Sequence, residues 1–309
     1  MAEAAAMSGR SAEPSRTPNI LLDRTIPIAV VTAIILVLWY VAAIGMNADL
    51  QRDAFANSGR ADATTQDFVL GTWSQERPRL PAPHQIAAEL DKSVLQTPLT
   101  SKRSLAFHAL ITIEATLLGF VFGSALGVLL SVLVVHSRSV DRGMMPWIVA
   151  SQTVPIVALA PMIVVVLNQF DITGIAPKAA IAAYLSFFPV TVGMVKGLRS
   201  PDPLQRDLMR TYSASWSQTL AKLRLPASLS FLFASLKVGV AASLVGAIVA
   251  EVTKSEDGGL GARLLAGSYY GQTVQIWAAL IVAALVAAAL VALVGLAERV
   301  TMRRLGGRV

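Results

Sequence analysis

The side chains that most often catalyse reactions or bind metals are few and widely separated in this chain of 309 residues. Its three histidines, His84, His108 and His136, never fall at the spacing that places two metal ligands on one face of a helix. The chain contains no cysteine, no G-x-S-x-G nucleophile elbow, no H-E-x-x-H metal motif and no G-x-x-x-x-G-K-S/T phosphate loop. We therefore predict no catalytic residue, no metal site and no cofactor, and we expect that the chain does not hydrolyse ATP by itself.

The composition is that of a membrane protein. Hydrophobic residues make up 54% of the chain and charged residues 15%, and the mean hydropathy is +0.60. A soluble domain has about 45–50% apolar and about 25% charged residues. These values exclude a disordered chain. The absence of cysteine excludes a disulfide-stapled secreted domain. The net charge of +7 does not indicate nucleic-acid binding, because the basic residues lie between apolar runs and form no patch with aromatic residues.

The apolar runs predict an all-α integral membrane protein with six transmembrane helices. Such a helix needs about 20 mostly apolar residues. The predicted spans are 25–48, 110–135, one within 144–170, 179–195, 229–250 and one that begins near 276. The resulting segments are a flexible tail (1–24), the first transmembrane helix (25–48), an outer segment (49–104), a five-helix core (105–300) and a basic tail (301–309).

The distribution of lysine and arginine predicts that both termini are cytoplasmic. Basic residues in short connections stay on the cytoplasmic side of a membrane. Arg138, Arg142 and the cluster from 196 to 224 fall on the same side as the termini, whereas the short connections on the other side carry Lys254 and Arg263. The segment 49–104 is therefore predicted to lie outside the cell membrane.

Glycine and proline patterns concern packing. Gly119, Gly123 and Gly127 recur every four residues, which predicts a smooth stripe against which another helix backbone can pack. Pro155, Pro161 and Pro189 interrupt apolar spans. Such prolines either line a cavity or simply kink a packed helix, and the sequence leaves both readings open.

The connection from about Lys196 to Ser228 is the most informative stretch. Pro201 and Pro203 open it, and Pro226 is predicted to close it before the next span. Apolar side chains recur in it at helical spacing, namely Leu208, Met209, Tyr212, Trp216, Leu220 and Leu223. The pattern predicts two short amphipathic helices broken near Ser213, with a surface that docks on another protein. A helix lying on the membrane surface, anchored by Trp216, is the alternative.

This stretch resembles the EAA loop of binding-protein-dependent ABC importer permeases. The family pattern is Glu-Ala-Ala, three residues, Gly and then a run that ends in Leu-Pro. The matching positions here are Asp207, Leu208, Met209, Arg210, Thr211, Ser213, Ala214, Ser215, Leu225 and Pro226. Asp207 stands at the Glu position and Ser213 at the Gly position. Because glycine permits a left-handed turn at no cost, serine there implies either modest strain or a slightly different bend.

The resemblance extends over roughly 80–300. Leu80-Pro81-Ala82-Pro83, Thr153 to Pro161, Phe187-Phe188-Pro189 and Gly246 to Glu251 are similar to further family segments. They look most like the branch that serves sulfonates, taurine, nitrate and thiamine-pyrimidine precursors. The run from His108 to Glu114, together with Lys-Leu-Arg-Leu-Pro226, favours the pyrimidine-precursor group.

The resemblance implies the permease subunit of a type I importer in the bacterial inner membrane. Its expected partners are a second copy of the permease, a dimer of ABC ATPase subunits and a periplasmic solute-binding protein. The segment 49–104 is then periplasmic, 105–300 is the permease domain, and 197–228 is the loop that couples to the ATPase. The residues expected to face the substrate path are Glu114, Gln152, Thr153, Phe187 and Glu251.

Two other classes of protein are alternatives. A secondary transporter driven by an ion gradient is expected to carry ion-binding acids within the membrane, and it needs no docking loop. A membrane enzyme or scaffold is disfavoured by the missing catalytic residues.

Overall fold

The computed structural model describes residues 20–59 and 64–304, with side chains from residue 25 onward. Most of the predicted tails, at 1–19 and 305–309, lies outside the described residues. The described helices are α1 (Ile20–Asn57), α2 (Thr65–Trp73), α3 (Pro83–Leu90), α4 (Leu105–His136), α5 (Arg138–Ala150), α6 (Ile156–Gln169), α7 (Ile175–Leu198), α8 (Pro203–Thr211), α9 (Trp216–Thr219), α10 (Leu225–Thr253), α11 (Leu260–Tyr269) and α12 (Thr273–Arg304). A π-helical turn, Asp91–Gln96, follows α3, and another, Leu220–Arg224, joins α9 to α10.

The predicted all-α membrane fold is confirmed in the part of the chain that the structure describes. Five of its helices are long and apolar enough to cross a membrane: Thr25–Asn57, Leu105–His136, Ile175–Leu198, Trp216–Thr253 and Thr273–Arg304. The span predicted within 144–170 is a bent pair instead of one straight helix. Residues Arg138–Thr153 and Ile156–Gln169 meet at 103°, and they make a sixth span if the pair is counted as one.

The break in this pair follows from Pro155. Its ring fixes φ and it has no N–H to continue a helix, so α6 begins immediately after it. The hydroxyl of Tyr184 on α7 donates a hydrogen bond to the carbonyl oxygen of Ser151, which holds the break against the next span. Pro161 and Pro189 instead lie inside continuous helices.

The chain divides into two compact units, the first ending at Pro83. In this first unit, Asn47 on α1 is completely buried and holds the segment after α2 in place. Its amide nitrogen donates to the carbonyl oxygens of Thr72 and Leu80 at 3.0 and 2.8 Å, and its amide oxygen accepts from the backbone N–H of Arg79 at 2.8 Å. α1 continues past residue 48 to Asn57 and supplies this anchor.

The second unit, which begins at His84, is built around α4, α7 and α10. Gly119, Gly123 and Gly127 of α4 contact residues of α7 that have successively higher numbers, so these two helices run parallel. A Cβ atom added at Gly119 would lie 2.7 Å from the carbonyl oxygen of Ala179, and one added at Gly127 would lie 2.7 Å from that of Phe187. The backbones are therefore in direct contact, as small residues allow in a membrane.

α10 runs antiparallel to α7 and packs against it in the same way. A Cβ atom added at Gly246 of α10 would lie 2.8 Å from the Cα of Ala182, and one added at Gly197 of α7 would lie 2.8 Å from the Cβ of Phe231. α12 packs on the outside of α10, where Lys237 forms an ion pair with Glu298. The amino ends of α4 and α7 therefore lie beside the carboxyl end of α10.

Gly123→Ala is expected to lower the melting temperature of the protein in detergent. The added Cβ would lie 2.6 Å from the carbonyl oxygen of Ala183, and overpacking of this kind costs about 1–3 kcal/mol. Gly143→Ala on α5 is the control, because a Cβ there has nothing within 4 Å and alanine exceeds glycine in helix propensity by about 1 kcal/mol. Thermal unfolding followed by intrinsic fluorescence checks this. Equal melting temperatures for the two variants would contradict the close approach of α4 and α7.

Candidate functional site

The candidate site is the elbow between α7 and α10, formed by α8, the turn after it and α9. α8 begins at Pro203, which suits the first turn of a helix because its missing N–H has no partner there. The carboxylate of Asp202 accepts a hydrogen bond from the backbone N–H of Leu204 at 2.8 Å, and the side chain of Gln205 accepts from the N–H of Asp202 at 3.2 Å. The capped start therefore makes α8 a defined helix on an exposed segment.

Ser213 turns the chain after α8. Its φ is +50°, in the left-handed region, where an L-residue other than glycine, asparagine or aspartate is uncommon. The backbone N–H of Ala214 donates to the carbonyl oxygen of Met209 at 2.9 Å, which ends the helix. The next residue, Ser215, caps α9 through its hydroxyl, which accepts from the N–H of Gln218 at 3.3 Å. Serine thus occupies the turn conformation for which the family pattern has glycine.

The second half of the elbow is continuous with the following span. Trp216–Thr253 forms one apolar helical stretch of 38 residues. The sequence predicted that Pro226 closes the connection just before the next span. Pro226 lies in the first turn of α10, directly after the π-helical turn in which the N–H of Leu225 donates to the carbonyl oxygen of Leu220. This wider turn lets the helix pass a proline without a break.

α8 and its C-cap residue, Tyr212, present an apolar stripe to their surroundings. Leu204, Leu208 and Tyr212 follow one another at four-residue spacing and are 78%, 54% and 77% exposed. Asp207 and Arg210 form an exposed ion pair beside this stripe, with 3.1 Å between carboxylate and guanidinium. An apolar stripe with charged neighbours on a short capped helix is suited to binding a groove on another protein.

The elbow also contacts the three-helix centre. The ring of Trp216 packs edge-on against His136 at the end of α4, with 4.3 Å between ring centroids. Leu220 packs against the buried cluster of Val190, Met194 and Leu198 on α7. The elbow and the turn after it are therefore in direct contact with α4 and α7.

The residues predicted to face a substrate path lie in different surroundings. Glu114 is exposed on α4, and Gln152 and Thr153 are exposed in the break between α5 and α6. Phe187 is partly buried and packs beside the cluster of Val134, Ile148 and Val195.

Glu251, also predicted to face the path, is completely buried. One of its carboxylate oxygens, Oε2, accepts from the hydroxyl of Thr112 at 3.0 Å and from the N–H of Gly261 at 2.9 Å. Sequence reasoning missed these two partners, and it missed Lys178, which is 1% exposed and donates to the carbonyl oxygen of Gly258. The run Gly258-Gly259-Leu260-Gly261 was the signal, because such a density of glycine indicates close backbone approach.

Within the described residues, no group of three His, Asp or Glu side chains lies close enough to hold a metal ion. The arrangement offers an exposed binding surface on the elbow.

These features define a class: a multi-pass membrane protein whose centre is a tightly packed helix bundle and whose exposed elbow between two spans suits a protein partner. Residues 115–307 match the family of the binding-protein-dependent transport system inner membrane component, and the chain belongs to this family. It is therefore a permease subunit of an ABC importer for small solutes. Members of this family are transmembrane subunits, and a partner ATPase subunit hydrolyses the ATP.

Three relatives illustrate the match. A probable ABC transporter permease protein of Haemophilus influenzae is 30% identical over 200 residues, which cover 65% of this chain and 79% of the relative. A formylaminopyrimidine transport permease protein of Halalkalibacterium halodurans is 32% identical over 179 residues, which cover 58% of this chain and 67% of the relative. A putative aliphatic sulfonates transport permease protein of Bacillus subtilis is 25% identical over 224 residues, or 72% and 77%.

Ser213→Gly is expected to preserve the elbow, whereas Ser213→Val is expected to loosen it. Glycine adopts a positive φ without strain, but a β-branched residue there is a steric outlier, at a cost of about 1–3 kcal/mol. Limited trypsin digestion of the purified protein, scored at Arg210, measures the change. Cleavage of the valine variant should be faster than that of wild type, and the glycine variant should be no faster. Equal rates for valine and glycine would show that the turn does not need a left-handed residue.

Proposed function

We propose that the elbow formed by α8, the turn at Ser213 and α9 is the surface on which the ABC ATPase subunit docks. The observation that carries this proposal is the exposed stripe of Leu204, Leu208 and Tyr212 on a capped helix. Exposed leucine and tyrosine side chains cost solvation free energy unless a partner covers them. The remaining predicted coupling residues, from Asp207 through Pro226, belong to the same elbow or to its junction with α10.

The elbow would convert ATP-driven movement of its partner into movement of the spans. α9 and α10 form one continuous helix, so a push on the elbow tilts α10 as a whole. Contacts of Trp216 with His136 and of Leu220 with the α7 cluster carry the same movement to α4 and α7. The solute undergoes no chemical change in this mechanism. It needs only a path that opens alternately to the two sides of the membrane.

We further propose an assembly of two copies of this chain, an ATPase dimer and a periplasmic solute-binding protein, in the bacterial inner membrane with both termini cytoplasmic. The basic residues on the elbow side support this orientation. Glu114, Gln152 and Thr153 are exposed in the single chain, which supports a path that a second copy completes. The permease domain is then 105–300, with 197–228 as its coupling loop, and 49–104 faces the periplasm.

The proposed solute is a small polar organic molecule of the thiamine-pyrimidine-precursor type. The formylaminopyrimidine permease among the relatives supports this choice. The aliphatic sulfonate permease supports a sulfonate such as taurine as the second candidate. Nitrate stays with this second candidate through the sequence resemblance. ATP-driven uptake measured with each labelled candidate decides between them. A formylaminopyrimidine should be taken up and an alkanesulfonate should not, and the opposite result would assign the second class.

Leu208→Gln is expected to reduce the amount of ATPase subunit that co-purifies with the tagged permease by about fivefold or more, because it removes an apolar side chain from the centre of the stripe. Arg206→Gln is the matched control, since it introduces the same side chain on another exposed face of α8. Quantitative immunoblotting of affinity-purified complexes measures the ratio. Full retention by the Leu208 variant, or equal loss in both variants, would contradict docking through the stripe.

A further inference from the structure

A cluster of buried polar side chains lies at the end of the bundle opposite the elbow. His108 and Thr112 come from α4, Lys178 from α7 and Glu251 from α10, and they are 7%, 0%, 1% and 0% exposed. Polar groups within a membrane bundle are costly unless they are paired. We call these four side chains, with the segment Gly258–Gly261 that they contact, the α11 anchor.

Each of the four residues of that segment makes a hydrogen bond to a different member of the cluster. The carbonyl oxygen of Gly258 accepts from Nζ of Lys178 at 3.0 Å, and the N–H of Gly259 donates to Nδ1 of His108 at 3.0 Å. The N–H of Leu260 donates to the hydroxyl oxygen of Thr112 at 2.9 Å, and the N–H of Gly261 donates to Glu251 at 2.9 Å. The segment is thus fixed residue by residue to three different spans.

These bonds replace the usual capping of a helix. α11 begins at Leu260, and the first N–H groups of a helix have no partner within it. The residue at the cap position, Gly259, has no side chain, so α4 and α10 supply the acceptors. The carboxylate of Glu251 at this end also interacts favourably with the partial positive charge of the helix terminus.

Gly259 shows how closely the segment approaches Glu251. Its φ is +116°, and a Cβ atom there would overlap the carboxylate. A side chain at this position would therefore displace the acceptor on which the start of α11 depends. The glycine is required by this contact as well as by its backbone conformation.

The position of Glu251 connects the α11 anchor with the elbow. The helical stretch Trp216–Thr253 has the elbow at one end and Glu251 near the other. Any tilt of this helix moves Glu251, and the anchor passes that movement to Gly258–Gly261 and α11. His108 and Thr112 bind the same segment to α4, which contacts the elbow through His136.

We propose that His108, Thr112, Lys178 and Glu251 are positioning residues for transport, which make α11 move with α4 and α10 and keep the path closed at this end while the elbow is displaced. The inference rests on the proposed function of the elbow. Loss of the anchor then uncouples ATP hydrolysis from import, whereas the docking of the ATPase is unaffected.

Thr112→Val tests the proposal, because it keeps the shape of the side chain but removes the acceptor for Leu260 and the hydroxyl beside Glu251. Thr112→Ser retains the hydroxyl. Thr116→Val is the matched control, since Thr116 is equally buried and its hydroxyl bonds only to the carbonyl oxygen of Thr112 on its own helix. The assembled transporter in proteoliposomes is used for all variants, with two readouts.

The first readout is the accessibility of α11. Because the chain has no cysteine, Ala262→Cys provides a single buried thiol on this helix for a membrane-impermeant maleimide. Thr112→Val should raise its labelling rate about tenfold, since an unpaired buried N–H strongly favours opening. The second readout is the number of solute molecules imported per ATP hydrolysed, which should fall by about the same factor. Thr112→Ser and Thr116→Val should stay within about twofold of wild type in both.

Unchanged labelling in Thr112→Val, or increased labelling with an unchanged import ratio, would overturn the inference. Glu251→Met is the second variant, for use if the valine variant does not accumulate in the membrane. It keeps the approximate size of the side chain but removes the acceptor for Thr112 and Gly261. It should change both readouts in the same direction, and no change in either would again refute the proposal. Co-purification of the ATPase distinguishes failure of the docking proposal from failure of the anchor proposal. Absence of the ATPase from the wild-type preparation refutes docking on the elbow. Retention of the ATPase by Thr112→Val, together with a normal import ratio, refutes the anchor alone.

Discussion

Backbone contact among α4, α7 and α10 is the constraint on which the rest of the structure depends. Lipid tails are as apolar as leucine, so helices in a membrane gain little from hiding apolar side chains from their surroundings, and they associate through close packing instead. Gly119, Gly123 and Gly127 give α7 this contact on one side, and Gly246 of α10 gives it on the other. Both the elbow and the α11 anchor are built on helices that this packing holds in register.

The two ends of α10 have different chemistry, which agrees with the different tasks proposed for them. At the elbow end, α8 is capped but exposed, and the side chains of Leu204, Leu208 and Tyr212 have no cover in the single chain. At the other end, polar side chains are buried and bonded to the backbone of Gly258–Gly261. In the proposed mechanism, the open surface binds the partner and the directional hydrogen bonds make the fixed segment follow α10. The continuous helix between them would then carry a movement of the elbow to the other end.

The elements that the sequence predicted are those governed by local physics. Runs of apolar residues predicted the spans. The match of Ser213 to a glycine position left open a strained left-handed turn or a different bend, and its φ of +50° is the left-handed turn. The bend of 103° before α6 and the passage of the helix through Pro226 depend on how a proline is accommodated, which composition does not reveal. The α11 anchor joins His108 to Gly259, 151 residues away, and only the packed bundle brings them together. Glu251 was therefore singled out from the sequence, but its hydrogen-bond partners were not predicted.

Docking of an ATPase on the elbow is proposed to power movement of the bundle. The most direct measurement is solute accumulation in proteoliposomes that contain this chain, its ATPase subunit and the solute-binding protein, without any ion gradient. Accumulation should require ATP on the elbow side and should stop when the ATPase subunit is omitted. Accumulation driven by a proton or sodium gradient in vesicles without that subunit would contradict the claim and identify a secondary transporter.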